Sequence, residues 1–434
     1  MRNSKVNLGW LLVFLLSIIP VVIWFKIPKI DPPFGDSQAT LASLGELFGL
    51  VGIILFSINL LLATRLPFIE VLFNGLNDAY NKHSFIGQLA LMLLLFHPLL
   101  LLSRYADSWR EASNFLFIGD SPARNFGIMA LWLMVGLIIL ALYLRPKYDL
   151  WKITHKLFGF AFFLGSLHAY LIPGYVISNL FLKSYILAFS VLGTLTFLYR
   201  SILGKYLVKK YKYIVTNIQH LNPKTVKITL KPKSYKMDFL AGQFVFISFQ
   251  QDGLTESHPF SISSSPHTEL LSITVKSLGD FTEKLTNELK IGTSAKIEGP
   301  YGKFSYTNTS TKNQIWIAGG IGVTPFISFA KDLFKKQLQD LNITLFYCTQ
   351  NEEDAVYLNL LKKIENSVNS LRVIPFYSDI KGYINTEYIK NKTTNLSDSE
   401  IFICAPPKMI KSLRDGLIKN GIKETQIYSE EFNL

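Results

Sequence analysis

The sequence predicts a multidomain membrane protein. A six-helix transmembrane bundle occupies residues 1–205, followed by a soluble half with an antiparallel β-barrel (206–310) and an α/β domain (311–434). Three observations carry this. Up to about residue 205 the chain is almost continuous apolar runs with short polar breaks. From about Tyr211 apolar residues alternate with a period of two, the pattern of half-buried strands. From about Gln314 strand and helix patterns alternate, which means a parallel sheet.

Six uncharged stretches in the first half, at about 8–25, 47–64, 84–103, 125–144, 157–182 and 184–199, span or nearly span a bilayer. Arg2 and Lys5 precede the first as they would in a signal peptide. That stretch is long for a signal and no A-x-A site follows, so it reads as a retained helix. With the N-terminus inside, thirteen Lys and Arg fall on inner segments and six on outer ones. The positive-inside rule therefore puts the N-terminus and the soluble half in the cytoplasm, with the bundle in the plasma membrane.

The net charge of +13 is explained largely by that inner face. No basic stripe with interleaved aromatics occurs in the soluble half, so nucleic acid is not an expected partner, and no obligate protein partner is evident. Cys348 and Cys404 both lie in the cytoplasmic half, where a disulfide is not expected. Their spacing is not that of metal ligands.

Within the apolar half stand His83, His97, His155 and His168. An imidazole in a bilayer is expensive and rarely idle. A single one is more often packed or hydrogen-bonded; here there are two pairs, 14 and 13 residues apart. At 1.5 Å rise per residue the rings lie about 21 and about 19.5 Å apart along two helices. Histidine is a common axial ligand of haem iron, and this spacing suits two haems stacked across the membrane. The predicted ligand pairs are His83 with His155 near the inner face and His97 with His168 nearer the outer. Fourteen residues return to within about 40° of one helical face, but 13 miss by about 140°. The second helix therefore needs a local distortion, for which Gly159 and Gly165 are available, or its two haems are approached from different sides.

In the soluble half, strands are expected at 213–221, 225–231, 243–250 and 271–275. Then follow a strand at 314–318, a helix at 325–339, a strand at 343–347, a helix near 355–366, strands at 372–377 and 401–404, and a final helix. The turn Ala318-Gly319-Gly320-Ile321-Gly322-Val323-Thr324-Pro325 joins strand to helix. Its glycines let a pyrophosphate approach the backbone, and the helix N-terminus supplies free N–H groups. Pro325 takes the third small position and is tolerated in a first helical turn. His258-Pro259-Phe260-Ser261-Ile262-Ser263-Ser264 offers a ring donor, an aromatic plate and several hydroxyls at a strand end. Gly279-Asp280-Phe281-Thr282 opens a further helix.

Together these features resemble the ferric reductase and NADPH oxidase flavocytochromes. The resemblance covers nearly the whole chain: six spans, the histidine pairs, HPFS, the Gly-x-x-Thr turn, GGIGVTP, Cys-Ala-Pro-Pro and a C-terminal Glu-Glu-Phe. It implies a ferredoxin-reductase-like cytosolic half, with FAD, two b-type haems and NADPH or NADH as cofactors. The four histidines would ligate the haems. Ser261, which stands where the family usually has Thr, would turn its hydroxyl to flavin N5. His258 and Pro259 would border the FAD diphosphate or ribityl chain, and Phe260 would pack on the flavin, with Ser264 nearby. Gly279, Phe281 and Thr282 would hold the diphosphate. Gly319, Gly320, Gly322, Thr324 and Pro325 would bind the nicotinamide nucleotide's phosphates. Cys404 and Pro406 would border the nicotinamide, although Ala405 replaces the usual Gly. Phe432 would stack on the flavin and move aside for hydride transfer.

The implied activity is transfer of electrons from cytosolic NAD(P)H through FAD and the haems to O2 outside, giving superoxide. Two alternatives stand beside it: a ferric-chelate reductase with the same path, and a relay subunit serving a partner protein or quinone. Leu101 stands where some oxidases of the family carry a further histidine, and nothing resembles a calcium loop. Arg65, Lys82 and Lys152 inside, and Arg104 and Arg124 outside, are candidate partners for haem propionates. Phe160, Phe162 and Phe163 are candidates to fill the gap between haems. After Tyr347 the chain reads Cys348-Thr349-Gln350-Asn351-Glu352. It has no basic residue there for a 2′-phosphate, so NADH use is plausible beside NADPH.

Overall fold

The computed structural model describes residues 8–430, apart from 30–31, 106–107, 114, 145, 147 and 310. The chain divides into two compact units between Val208 and Lys209.

The first unit is helical. Its long helices are α1 (Leu8–Lys26), α2 (Ser37–Leu62), α3 (Leu76–Leu101), α4 (Pro122–Ile139), α5 (Tyr148–Leu171) and α6 (Leu180–Phe197). Caps rather than hydropathy set several starts. Asp36 accepts the Ala39 N–H at 2.7 Å, so α2 begins well before its apolar run. The uncharged run after residue 157 continues to 182, yet α5 ends at Leu171 because Pro173 and Gly174 (φ 145°) break it. Asn179 then accepts the Leu182 N–H at 2.9 Å and opens α6.

Five of these six helices are long and apolar enough to cross a membrane, with α3, α4 and α6 continued by short turns to Tyr105, Leu144 and Ile202. The sixth expected span, α5, has 24 residues. It carries Asp149, Lys152, Lys156 and two histidines, which lower its hydropathy below that of the other five. Helix α2 is the centre of the unit: 61% of its apolar window is buried, against 11% for α3. Ser57 on α2 donates to the Phe189 carbonyl on α6 at 2.6 Å. Tyr185 on α6 donates to the Leu16 carbonyl on α1 at 2.7 Å.

The second unit contains two sheets. Strands β1 (Tyr211–Asn222), β2 (Thr225–Pro232), β3 (Phe244–Phe249), β4 (His258–Ser261), β5 (Leu271–Lys276) and β6 (Ser294–Tyr301) are antiparallel in the order β4-β3-β6-β1-β2-β5. A bridge between Ile262 and Ile273 brings the two edges together, which curls the sheet around a core of Val226, Ile228, Val245, Ile247 and Ile297. Helix α7 (Asp280–Glu288) lies between β5 and β6 in the chain.

The second sheet is parallel, in the order β11-β10-β7-β8-β9. Its strands are β7 (Asn313–Gly319), β8 (Asn342–Thr349), β9 (Leu371–Tyr377), β10 (Glu400–Cys404) and β11 (Ile427–Glu430). Its main helices are α8 (Thr324–Lys336), α9 (Leu358–Glu365) and α10 (Pro407–Lys419). The strand order reverses between β7 and β10, and a ligand of such a sheet sits beyond the carboxyl ends at that point. The sequence reading missed β11, which is only four residues long.

Candidate functional site

In the helical unit, α3 carries His83 and His97 and α5 carries His155 and His168. The rings meet in two pairs. His83 and His155 have centroids 6.2 Å apart, and His97 and His168 6.4 Å apart. Three rings are oriented by backbone carbonyls. Nδ1 of His83 donates to Asn59 (2.9 Å), that of His97 to Gly45 (2.7 Å) and that of His168 to Ala123 (2.9 Å). A carbonyl only accepts, so each Nδ1 carries the proton and each Nε2 keeps a lone pair for a ligand. His155 is held differently, stacked on Trp151 one turn earlier at 4.9 Å.

Helix α5 is unbroken through Gly159 and Gly165. Gly159 serves packing instead, since a Cβ there would lie 2.1 Å from the Phe197 ring.

His97 and His168 open on a cavity of about 550 Å3. His97, His168, Phe56, Phe162 and Met134 are among its lining, with Glu46, Arg104 and Arg124 as its charged residues. Two glycines face the two rings symmetrically: a Cβ at Gly49 or at Gly127 would lie 2.7 Å from Nδ1 of His97 or His168. Glu46 accepts from Arg104 (3.0 Å) and from the Trp24 indole (2.9 Å). Of the three phenylalanines proposed as gap fillers, only Phe162 faces inward, 5.3 Å from Phe56. Phe160 and Phe163 stack on each other at the exposed surface. Of the cations, Arg104 and Arg124 reach the cavity. Arg65 instead donates to the Tyr80 hydroxyl, and Lys82 lies over the Trp10 ring.

In the second unit, β4 is the HPFS segment itself, paired with β3 so that Ser261 lies opposite Phe244. The His258 ring stacks on Phe281 at 3.7 Å, so the HPFS strand and the start of α7 form one surface. Glu256 engages His258 Nε2 at 3.2 Å. Pro259 and Phe260 are half-buried beside it. Thr282 caps its own helix, accepting the Gly279 N–H at 3.0 Å. The Ser264 hydroxyl accepts the Ser272 N–H at 3.1 Å.

The Gly-rich turn follows β7 directly, and Thr324 and Pro325 begin α8. Cys404, Ala405 and Pro406 lie against it. A Cβ at Gly319 would be 2.7 Å from that of Ala405, and one at Gly322 would be 2.2 Å from the Cys404 carbonyl oxygen. These glycines therefore admit the neighbouring strand end as well as any phosphate. Gly320 has φ 56°, a left-handed conformation glycine adopts freely. Burial, together with the Glu430 carboxylate, pushes the Cys404 thiol up, so it stays protonated. Glu430, opposite Cys404 in the β10–β11 register, escaped the sequence reading because β11 did. Phe432 lies outside the described residues.

Comparison with known proteins agrees with this arrangement. Residues 48–166 match the ferric reductase like transmembrane component, 210–305 an FAD-binding domain and 316–415 an oxidoreductase NAD-binding domain. The chain is 29% identical over 228 residues to the 2-halobenzoate 1,2-dioxygenase electron transfer component of Burkholderia cepacia, covering 50% of this chain and 66% of that protein. It is 25% identical over 252 residues to NADPH oxidase 1 of Rattus norvegicus, covering 47% of this chain and 44% of that protein. The chain thus spans two thirds or less of these relatives. A flavohemoglobin structure from Malassezia yamatoensis shares the fold at TM-score 0.50 and 17% identity, covering 91% of this chain and 97% of that one. A ferric reductase like transmembrane component followed by FAD-binding and NAD-binding domains matches the architecture of the NADPH oxidase and ferric reductase family.

Proposed function

We propose that this chain moves electrons from cytosolic NAD(P)H, through FAD and two b-type haems, to O2 on the outer face of the plasma membrane, producing superoxide. The observation that carries the reading is the separation of the imidazole pairs. A metal–imidazole bond is about 2 Å, and the nitrogen lies about 1.1 Å from the ring centre, so two imidazoles facing each other across one metal ion would have centroids about 6.3 Å apart. The two pairs stand at 6.2 and 6.4 Å. Among the described residues no group of three or more His, Cys, Asp or Glu could hold a metal ion. A porphyrin would supply the donors the chain lacks, and the apolar cavity at His97 and His168 is of suitable size and lining.

When bound, flavin accepts a hydride and gives single electrons, which haem irons carry one at a time. The chain's own part is to orient and to exclude water. Backbone carbonyls fix three imidazole tautomers, a second layer that raises ligand basicity. Phe56 and Phe162 keep the cavity dry. Ser261, at the end of β4, offers a hydroxyl to the flavin; Cys404 and Pro406 wall the nicotinamide. His258 and Phe281 shape the surface for the FAD diphosphate.

Arg104 and Arg124 at the outer cavity favour a second reading, reduction of an anionic ferric chelate. Purified protein in detergent, supplied with NADH or NADPH, separates the two. The oxidase reading expects cytochrome c reduction that superoxide dismutase suppresses. Fast anaerobic reduction of a ferric chelate, without superoxide in air, would replace it with the second. Activity only on adding a partner protein or quinone would make the chain a relay subunit. The turn after β8 lacks a basic residue and carries Glu352; NADH should therefore serve at least as well as NADPH in steady-state rates.

A further inference from the structure

Helix α8 leaves the Gly-rich turn and carries Ser328 and Lys331 three residues apart, on one face. Both donate to consecutive carbonyls on the chain that follows Ser261. Ser328 Oγ meets the Ser264 oxygen at 2.7 Å, and Lys331 Nζ meets the Ser263 oxygen at 2.7 Å. Ser328 is fully buried and Lys331 half-buried. A lysine spent on a backbone carbonyl at this depth is costly unless the contact matters. The same junction is closed by Tyr357 against Thr274 (2.6 Å) and by Lys276 against Asp354 (3.2 Å). One end of α8 therefore holds the nucleotide turn, while its second turn grips the segment that directly follows Ser261.

We propose that Ser328 and Lys331 are positioning residues that make α8 a strut, fixing the distance between the coenzyme turn and Ser261 and hence the geometry of hydride transfer. This rests on reading the second unit as an FAD and nicotinamide nucleotide oxidoreductase. A hydride must pass from a nicotinamide held by one domain to a flavin held by the other, and an error of about 1 Å in such geometry costs about 10²-fold in rate.

Burial, with Lys227 of β2 adding to it, lowers the Lys331 amine to about 8 from its ordinary 10.5. The neighbouring Asp332 is engaged by Tyr306, Lys336 and His267. The charge-assisted bond to Ser263 is thus present below about pH 8 and weakens above it. The sign for stability is opposite. The unfolded chain binds the proton more tightly, so this residue's contribution to stability rises between about 8 and 10.5. A fall in rate above pH 8 is then not unfolding.

The test is anaerobic stopped-flow flavin reduction in the full-length protein, with NADH and its 4-deuterated form. FAD content and dithionite reduction report separately on the flavin reading. Lys331→Met should retain FAD and bind coenzyme within about twofold, yet reduce flavin about tenfold or more slowly, with a larger deuterium isotope effect. Wild type should slow as pH rises through about 8, while Lys331→Arg should remain flat because its guanidinium stays charged. A Lys331→Met rate within twofold of wild type, or a loss confined to coenzyme affinity, overturns the proposal. Coincident pH profiles for wild type and Lys331→Arg do so as well, and that comparison decides if Lys331→Met loses its flavin. A wild-type protein that binds no FAD overturns the underlying reading instead.

Discussion

His97→Ala protein is expected to purify with half the haem of wild type and to lose transfer to an external acceptor by two orders of magnitude or more. Reduction of a soluble dye at the flavin should persist. The pair His97 and His168 stands 6.4 Å apart at the cavity, and one ring alone would leave a haem held there without its second protein ligand. The loss should be larger than that from disturbing the layer behind the ligands, about 10- to 100-fold in metal affinity. Gly127→Ala provides that comparison. Its Cβ would lie 2.7 Å from His168 Nδ1, displacing the ring from the Ala123 carbonyl. Pyridine haemochromogen and oxidase assays on the two variants check both the direction and the order.

Gly322→Ala should slow flavin reduction by NADH on the order of 100-fold, while haem content and dithionite-reduced spectra stay unchanged. A Cβ there would sit 2.2 Å from the Cys404 carbonyl oxygen. That atom is backbone and cannot swing aside like a side chain. The turn after β7 and the end of β10 must move apart, and both border the proposed nicotinamide site. Stopped-flow flavin bleaching with NADH measures the effect. A rate within twofold of wild type would separate this junction from the chemistry.

The histidine pairing was legible because axial rise depends only on residue spacing. Azimuth was not legible. The sequence left open whether α5 is distorted or its two rings are approached from different sides; the rings of His155 and His168 are held by different neighbours, Trp151 on the same helix and Ala123 at the start of α4. Span ends were read from charge, which placed the starts of α2 and α5 and the end of α5 too late. Asp36, Pro173, Gly174 and Asn179 carry the true boundaries through capping and helix breaking. The two histidines and the charges of α5 lower its hydropathy, so five of the six helices, and not α5, are long and apolar enough to cross a membrane.

In the soluble unit the motif residues converge as the strand–turn–helix pattern implies: GGIGVTP meets Cys-Ala-Pro, and HPFS meets the Phe281 turn. Ser328, Lys331 and Glu430 were not visible in the sequence. Asp332 is buried and Lys331 bonds to the first sheet's chain, although both are charged. Nothing in a local pattern states which domain a helix will face.

The most direct test is the optical spectrum of the purified protein, with haem and flavin quantified on one sample. Two bis-imidazole b-type haems for each FAD is the predicted result. A preparation grown with ample porphyrin that lacks a Soret band, or that holds one haem for each flavin, contradicts the paired-imidazole path.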